Sequence, residues 1–316
     1  MKLLPKPIYF DNTVWGVDTW KILSAAFAGD IDTVTHFLDK DSSNINVQFA
    51  YYEPLHYAVR GGDIEMVNLL VKRGGHPKAK GWLFKYCDDT PLGKAIDRER
   101  QDIVEILTDA AKELQEWKWP EEKPQTSEVK LIYKFELACG GNRSRHVRKV
   151  LKKQPELATR GLYEAVHHGH LDLIQYLLSE GADVNGHMPW SCWYTPLMHA
   201  LRKDKPRFEI AQLLLDNGVF INATNGLGMT ALHIIALAGN IESANWLIDN
   251  GANVNAIEQE FCSSPLGWAA KWRHIELAKL LISYGAEINL PNSESWTQPL
   301  SWAQKNNHQK LVRLLT

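Results

Sequence analysis

The sequence predicts an all-α solenoid, a stack of helix-turn-helix units, and three observations predict it. The first is a period. The pair Pro265-Leu266 recurs 34 residues later at Pro299-Leu300, and Ala231-Leu232 lies the same distance before it. Self-similarity at this spacing marks a repeat array. The second is how units begin: TPL from Thr90 and again from Thr195, TAL from Thr230, SPL from Ser264. Thr or Ser supplies a capping oxygen, and a proline at the first helical position lacks an N–H that would have no partner there. The third is apolar spacing. Leu266, Ala269 and Ala270 form one helical stripe; Ile275, Leu277, Ala278, Leu280 and Leu281 form a second, broader one, which Gly285 closes with a left-handed cap. Each unit leaves apolar surface bare until the next stacks on it, so the array folds as a near one-dimensional solid.

The 316 residues exceed one ordinary compact domain, which suits an elongated array. A net charge of -2 gives no broad field for nucleic acid or an anionic membrane, so neither is an expected partner. The apolar runs fall far below the roughly 18 residues that a membrane span needs. Pro5 and Pro7 interrupt the start before any signal-peptide core develops. Cys87, Cys139, Cys192 and Cys262 are too widely spaced for CxxC metal or redox chemistry, and a disulfide framework is not expected. A reduced, cytoplasmic location, a monomer, no cofactor and no metal are the resulting expectations.

The segments EPLHYAVRGGDIEMVNLLVKRGG from Glu53, TALHIIALAGNIESANWLIDNGANVN from Thr230 and SPLGWAAKWRHIELAKLLISYGAEIN from Ser264 carry a family resemblance. They resemble ankyrin repeats, whose consensus TPLHxAAxxGHxEIVxLLLxxGADVN runs over about 33 residues. The resemblance reaches across nearly the whole chain from about residue 19. It implies an ankyrin-repeat solenoid with short β-hairpin finger loops between units. Register gives about nine units. Three form a first block, 19–111; six form a second, 129–316, whose last copy, QPLSWAQKNNHQKLVRLLT, is a polar cap. Between them KELQEWKWPEEKPQTSE, 112–128, reads as a linker, although it could also pack and continue one superhelix. Residues 1–18, with Ile8, Tyr9, Phe10 and Trp15, are expected to lie against the first repeat.

Histidines next invite a metal reading, since HHGH at 167–170 offers three in four residues. Register favours another: His170 falls in the inter-helix turn, and His167 and His168 at variable positions of the inner helix. His56 and His233 occupy the TPLH slot, which the resemblance makes structural. Catalytic motifs are absent, with no GxSxG, HExxH, P-loop or GxGxxG, and Asp88-Asp89 reads as solvated surface and a cap before Thr90. A non-enzyme is expected.

Two sets of residues remain for binding. The inner-helix variable positions include Arg60, Arg98, His167, His168, Arg202, Lys203, Lys271 and Trp272, a mildly basic stripe that would favour an acidic partner or would simply be solvated. The fingers concentrate aromatics: Tyr51 and Tyr52, then Trp82, Phe84 and Tyr86, then Trp190, Trp193 and Tyr194, with Phe261 and Trp296 later. From Asn222 to Thr230 the step between units is eight residues, whereas GHMPWSCWY stretches the step from Asn185 to Thr195 to ten. Exposed aromatics mark contact surfaces, but long loops also tuck such rings onto neighbouring loops and helices. The expected function is a non-catalytic scaffold that binds a partner protein or peptide on its concave face and fingers. The alternative is small-ligand or carbohydrate binding through the tryptophan-rich fingers.

Overall fold

The structure, a computed structural model, describes residues 18–49, 52–81, 88–113, 127–186, 194–202, 206–291 and 293–316. The chain divides into two compact units, Met1–Glu122 and Lys123–Thr316. In unit 1 the helices are α1 (Thr19–Ala28), α2 (Ile31–Lys40), α3 (Pro54–Gly61), α4 (Ile64–Lys72), α5 (Pro91–Asp97) and α6 (Gln101–Glu113). Unit 2 begins with α7 (Ser127–Gly140), α8 (Ser144–Leu151), α9 (Ala158–His168), α10 (Leu171–Ser179), α11 (Pro196–Leu201) and α12 (Phe208–Asp216). It continues with α13 (Ala231–Ala238), α14 (Ile241–Asp249), α15 (Pro265–Lys271), α16 (Ile275–Ser283), α17 (Pro299–Lys305) and α18 (Gln309–Leu315). Among the described residues the helices follow one another in pairs and none of the chain is strand. The architecture is an all-α repeat solenoid. Within each unit the first helix of a pair packs on the first helix of the next, as α3 does on α1 and α5, and α15 on α13 and α17.

Local sequence explains where several first helices start. Thr90 Oγ1 accepts the Gly93 amide at 3.0 Å and Ser264 Oγ the Gly267 amide at 3.4 Å, each with a proline at the next residue. The TPLH histidines add a second tie. His233 Nδ1 accepts the Thr230 amide at 3.1 Å, and its Nε2–H donates to the Ser263 carbonyl at 3.2 Å, at the start of the next repeat. His56 does the same with the Glu53 amide, 3.1 Å, and the Ala79 carbonyl, 3.0 Å. Both rings are fully buried.

Second helices start in two ways. Asp30, Asp63 and Asn240 cap their own helix through the amides of Thr33, Met66 and Ser243. At the same register Arg100, His170, His274 and His308 instead reach back to carbonyls at the end of the preceding repeat's first helix, those of Gly62, Gly140, Leu237 and Ala270, at 2.7 to 3.0 Å. At the other end of three pairs in unit 2 an asparagine ladder joins repeats. Asn222 donates to the Gly251 carbonyl at 3.2 Å and accepts the Asn253 amide at 2.8 Å. Asn185 and Asn255 repeat that bracket one unit before and one unit after.

Of the expected β-hairpin fingers, the described residues carry only reduced pairing. Among the described residues the strand-like pairing is one isolated antiparallel bridge, Phe49 to Tyr52. Other fingers close with single backbone bonds, Gly81 to Asp89 at 3.0 Å, Asn225 to Met229 at 2.9 Å and Glu258 to Ser263 at 3.3 Å. Side chains replace the missing ladder: Asn225 Oδ1 accepts the amides of Leu227 and Met229, and the Glu258 carboxylate those of Glu260, Phe261 and Ser263.

These buried groups give unit 2 an acid dependence with two opposing parts. Burial holds the His233 ring down to about 4, against about 6.5 for an unfolded histidine. The folded state thus binds fewer protons there, and stability is lost as pH falls from 6.5 towards 4. Glu258 runs the other way, because burial and the Glu260 charge push its carboxyl up to about 7. Its proton uptake favours folding as pH falls from 7 to the unfolded value near 4.5. Each contribution has a ceiling of about 3 kcal/mol. In Glu258→Gln the part that this carboxyl contributes is removed and the histidine part remains. Its urea midpoint should fall more steeply between pH 7 and 4 than that of the wild type; parallel curves would refute this assignment.

Candidate functional site

In unit 1 the finger residues Tyr52 and Asp89 meet a helix lysine in a buried ion pair. Tyr52 is fully buried, and its hydroxyl donates to the Asp89 carboxylate, whose oxygens lie at 3.0 and 3.1 Å. Lys94 Nζ reaches Asp89 Oδ1 at 2.6 Å and stands 4.0 Å above the Tyr52 ring centre. Asp89, expected at a solvated loop surface, is therefore the internal counter-ion of a helix lysine. Arg60 and Arg98 are also buried; the Arg60 guanidinium lies 5.3 Å from the Tyr57 ring centre and 6.0 Å from that of Phe27. Tyr51, Trp82, Phe84 and Tyr86 lie outside the described residues.

Unit 2 repeats the pairing of a finger ring with an inner-helix cation. The Arg202 guanidinium lies 4.7 Å from the ring centre of half-exposed Tyr194. The same ring sits 5.1 Å from that of His199, and His199 Nδ1 meets His167 Nδ1 at 3.1 Å. A bond between two Nδ1 atoms holds one proton, so one ring must donate and the other accept. His168 is exposed, with Nε2 3.7 Å from Glu164, whose carboxyl is pushed up by burial and by the Glu136 charge. Arg160 stands 3.6 Å from Glu136. Cys139 beside them is buried, and its thiol is pushed up to about 12, so it stays protonated and is no nucleophile at neutral pH. Trp190, Trp193 and Lys203 lie outside the described residues.

A third cluster joins Phe261, Lys271, Trp272 and Trp296. The Phe261 ring packs between those of Trp268 and Trp302, both centres at 5.2 Å, and Trp296 meets Trp302 edge-on at 6.1 Å. Lys271 Nζ lies 4.1 Å from the Trp302 ring centre, 4.4 Å from Phe261 and 5.7 Å from Trp272. Attraction between a cation and ring faces holds the ammonium there despite burial. Trp268 Nε1 donates to Glu258 at 3.2 Å and Trp296 Nε1 to Glu294 at 2.8 Å. Tyr52, Phe261 and Trp296 thus pack inward and offer no contact surface in this structure, because each finger folds its ring onto the helix layer. Lys271, Arg60 and Arg98 are likewise core-facing. Trp272 and Arg202 stay half-exposed, and Lys305 beside Trp302 is exposed. Sequence reasoning passed over Trp302, Glu258 and His199, whose roles depend on partners at other points along the stack.

The family model described as ankyrin repeats, in three copies, matches residues 22–116 and 162–258, and the single ankyrin repeat model matches 263–293. The chain belongs to the ankyrin-repeat proteins. Among curated relatives, the ankyrin repeat protein FPV223 of Fowlpox virus (strain NVSL) is 32% identical over 114 residues, 36% of this chain and 76% of that protein. A second protein of that virus, FPV031, is 34% identical over 95 residues, 30% of this chain and 27% of its own length. The ankyrin repeat and KH domain-containing protein mask-1 of Caenorhabditis elegans is 26% identical over 275 residues, 73% of this chain and 10% of that protein. The chain therefore spans only a part of two of these three relatives. Ankyrin repeats are generally protein-protein interaction modules. Among the described residues no helix is long and apolar enough to cross a membrane.

Proposed function

We propose that this ankyrin chain is a non-catalytic, monomeric cytoplasmic scaffold that holds a partner protein or an extended segment of one. The concave face formed by the ends of the first helices, together with the fingers, is the docking surface. The carrying observation is Trp272: a half-exposed tryptophan that follows α15, one repeat from exposed Lys305, after a helix whose residues are all buried. A rigid aromatic in a cationic setting has the character of an interface hot spot, and it favours an acidic segment. His168 and Arg202 carry the same character further along unit 2. Trp190 and Trp193 extend the surface onto their finger in this reading.

Trp272→Ala is expected to keep helical circular dichroism and the melting midpoint within a few degrees, while weakening capture of wild-type partners by roughly tenfold or more. The measurement is quantitative pull-down against wild type, with Trp190→Ala/Trp193→Ala in parallel. A partner held equally well by all three proteins would sink the proposal. A large drop in melting midpoint for the double variant would show those two rings to be core.

A further inference from the structure

The geometry points to a second binding site on the last two ankyrin repeats, a pocket around Arg273 and Lys310 that takes a phosphate-class dianion. The pocket has a volume of about 260 Å³, with Arg273, Asn307, His308 and Lys310 around an apolar floor of Ile275 and Leu311. No carboxylate lines it. The nearby Glu276 is engaged by Lys279 at 2.8 Å, and among the described residues neither Arg273 nor Lys310 has a carboxylate within ion-pair range. Two exposed cations therefore converge on one concavity without an internal counter-charge. His308 is fixed beside them by its Nδ1–H, which donates to the Ala270 carbonyl at 2.9 Å.

The backbone supplies an independent observation. Arg273 has φ 67°, in the register where Gly29, Gly62, Gly169 and Gly239 stand with φ between 73° and 84° and where Glu99, Asn142 and Asn307 are left-handed too, at 52° to 57°. A side chain in this left-handed region destabilises the turn, and glycine would relieve it. Glu99, Asn142 and Asn307 share that left-handed turn, so what singles out Arg273 is its charge, which lines one pocket with that of Lys310 and without a counter-charge. Arginine's planar fork fits phosphate oxygens in pairs, and the lysine adds a point charge, so the two cations match a dianion better than a single carboxylate.

The test needs no partner protein, so its failure would leave the Trp272 reading standing. The full chain is titrated at constant ionic strength with inorganic phosphate, then with a phosphoserine peptide and its serine counterpart, following the His308 ring signals by NMR. Wild type should show a saturable shift with both phosphate probes. Lys310→Ala and Arg273→Gly should weaken it at least tenfold, while Arg273→Gly without phosphate melts at a higher temperature than wild type. Tighter binding of the phosphopeptide would assign the group to a partner's modified side chain, and equal binding to free phosphate. Absence of a saturable shift with either probe, or equal shifts in wild type and both variants, would overturn the site.

Discussion

Lys94→Met is expected to destabilise unit 1 by about 3–5 kcal/mol, the usual effect of removing one member of a buried ion pair. The Lys94 and Asp89 side chains are 2% and 1% exposed, so water cannot replace the lost partner. Asp89 would keep the Tyr52 hydroxyl but lose the ammonium that stands 2.6 Å from its carboxylate. The methionine preserves most of the volume over the Tyr52 ring, which separates the charge effect from a cavity effect. The check is a double-mutant cycle by urea denaturation, with hydrogen exchange of the α5 amides to localise the change. Adding Asp89→Asn to Lys94→Met should recover a large part of the loss, since removing both charges spares the unpaired one. If the two single variants add without coupling, the pair does not hold this finger to its helix.

Gly61→Ala comes next in size, for a different reason. A Cβ at this position would lie 2.0 Å from the Phe27 carbonyl oxygen and 2.9 Å from its carbon, both backbone atoms of α1. No rotamer can relieve such a contact, so α3 must move away from α1 and loosen the packing around Ile22, Leu23 and Ala26. Overpacking against rigid backbone is expected to cost about 3 kcal/mol. That outweighs the roughly 0.5–1 kcal/mol by which alanine favours a helix over glycine. Gly74→Ala is the comparison, because nothing lies within 4 Å of its added Cβ and only its left-handed backbone opposes the change. Equal urea midpoints for the two variants would show that α1 and α3 have room to separate.

The sequence itself determined the repeat. Caps such as Thr90, Thr195 and Ser264, the prolines after them and the stripes that follow act within a single turn of helix. Their meaning is complete in a few adjacent residues, and the helices begin where they direct. The TPLH histidines were legible for the same reason, since half of their bonding is to an amide three residues away.

The fate of the finger rings was not legible. Tyr52 faces Lys94 from 42 positions away in the chain, Phe261 is enclosed partly by Trp302, and His167 shares its proton with His199, 32 residues on. An aromatic in a loop has the same local pattern whether it meets water or the next repeat. Asp89 likewise has the local pattern of a surface acid until Lys94 closes over it. Only the stacked repeats decide that question, because the burial of these rings is set largely by residues one repeat away, as Tyr52 over Lys94 and Phe261 against Trp302 show.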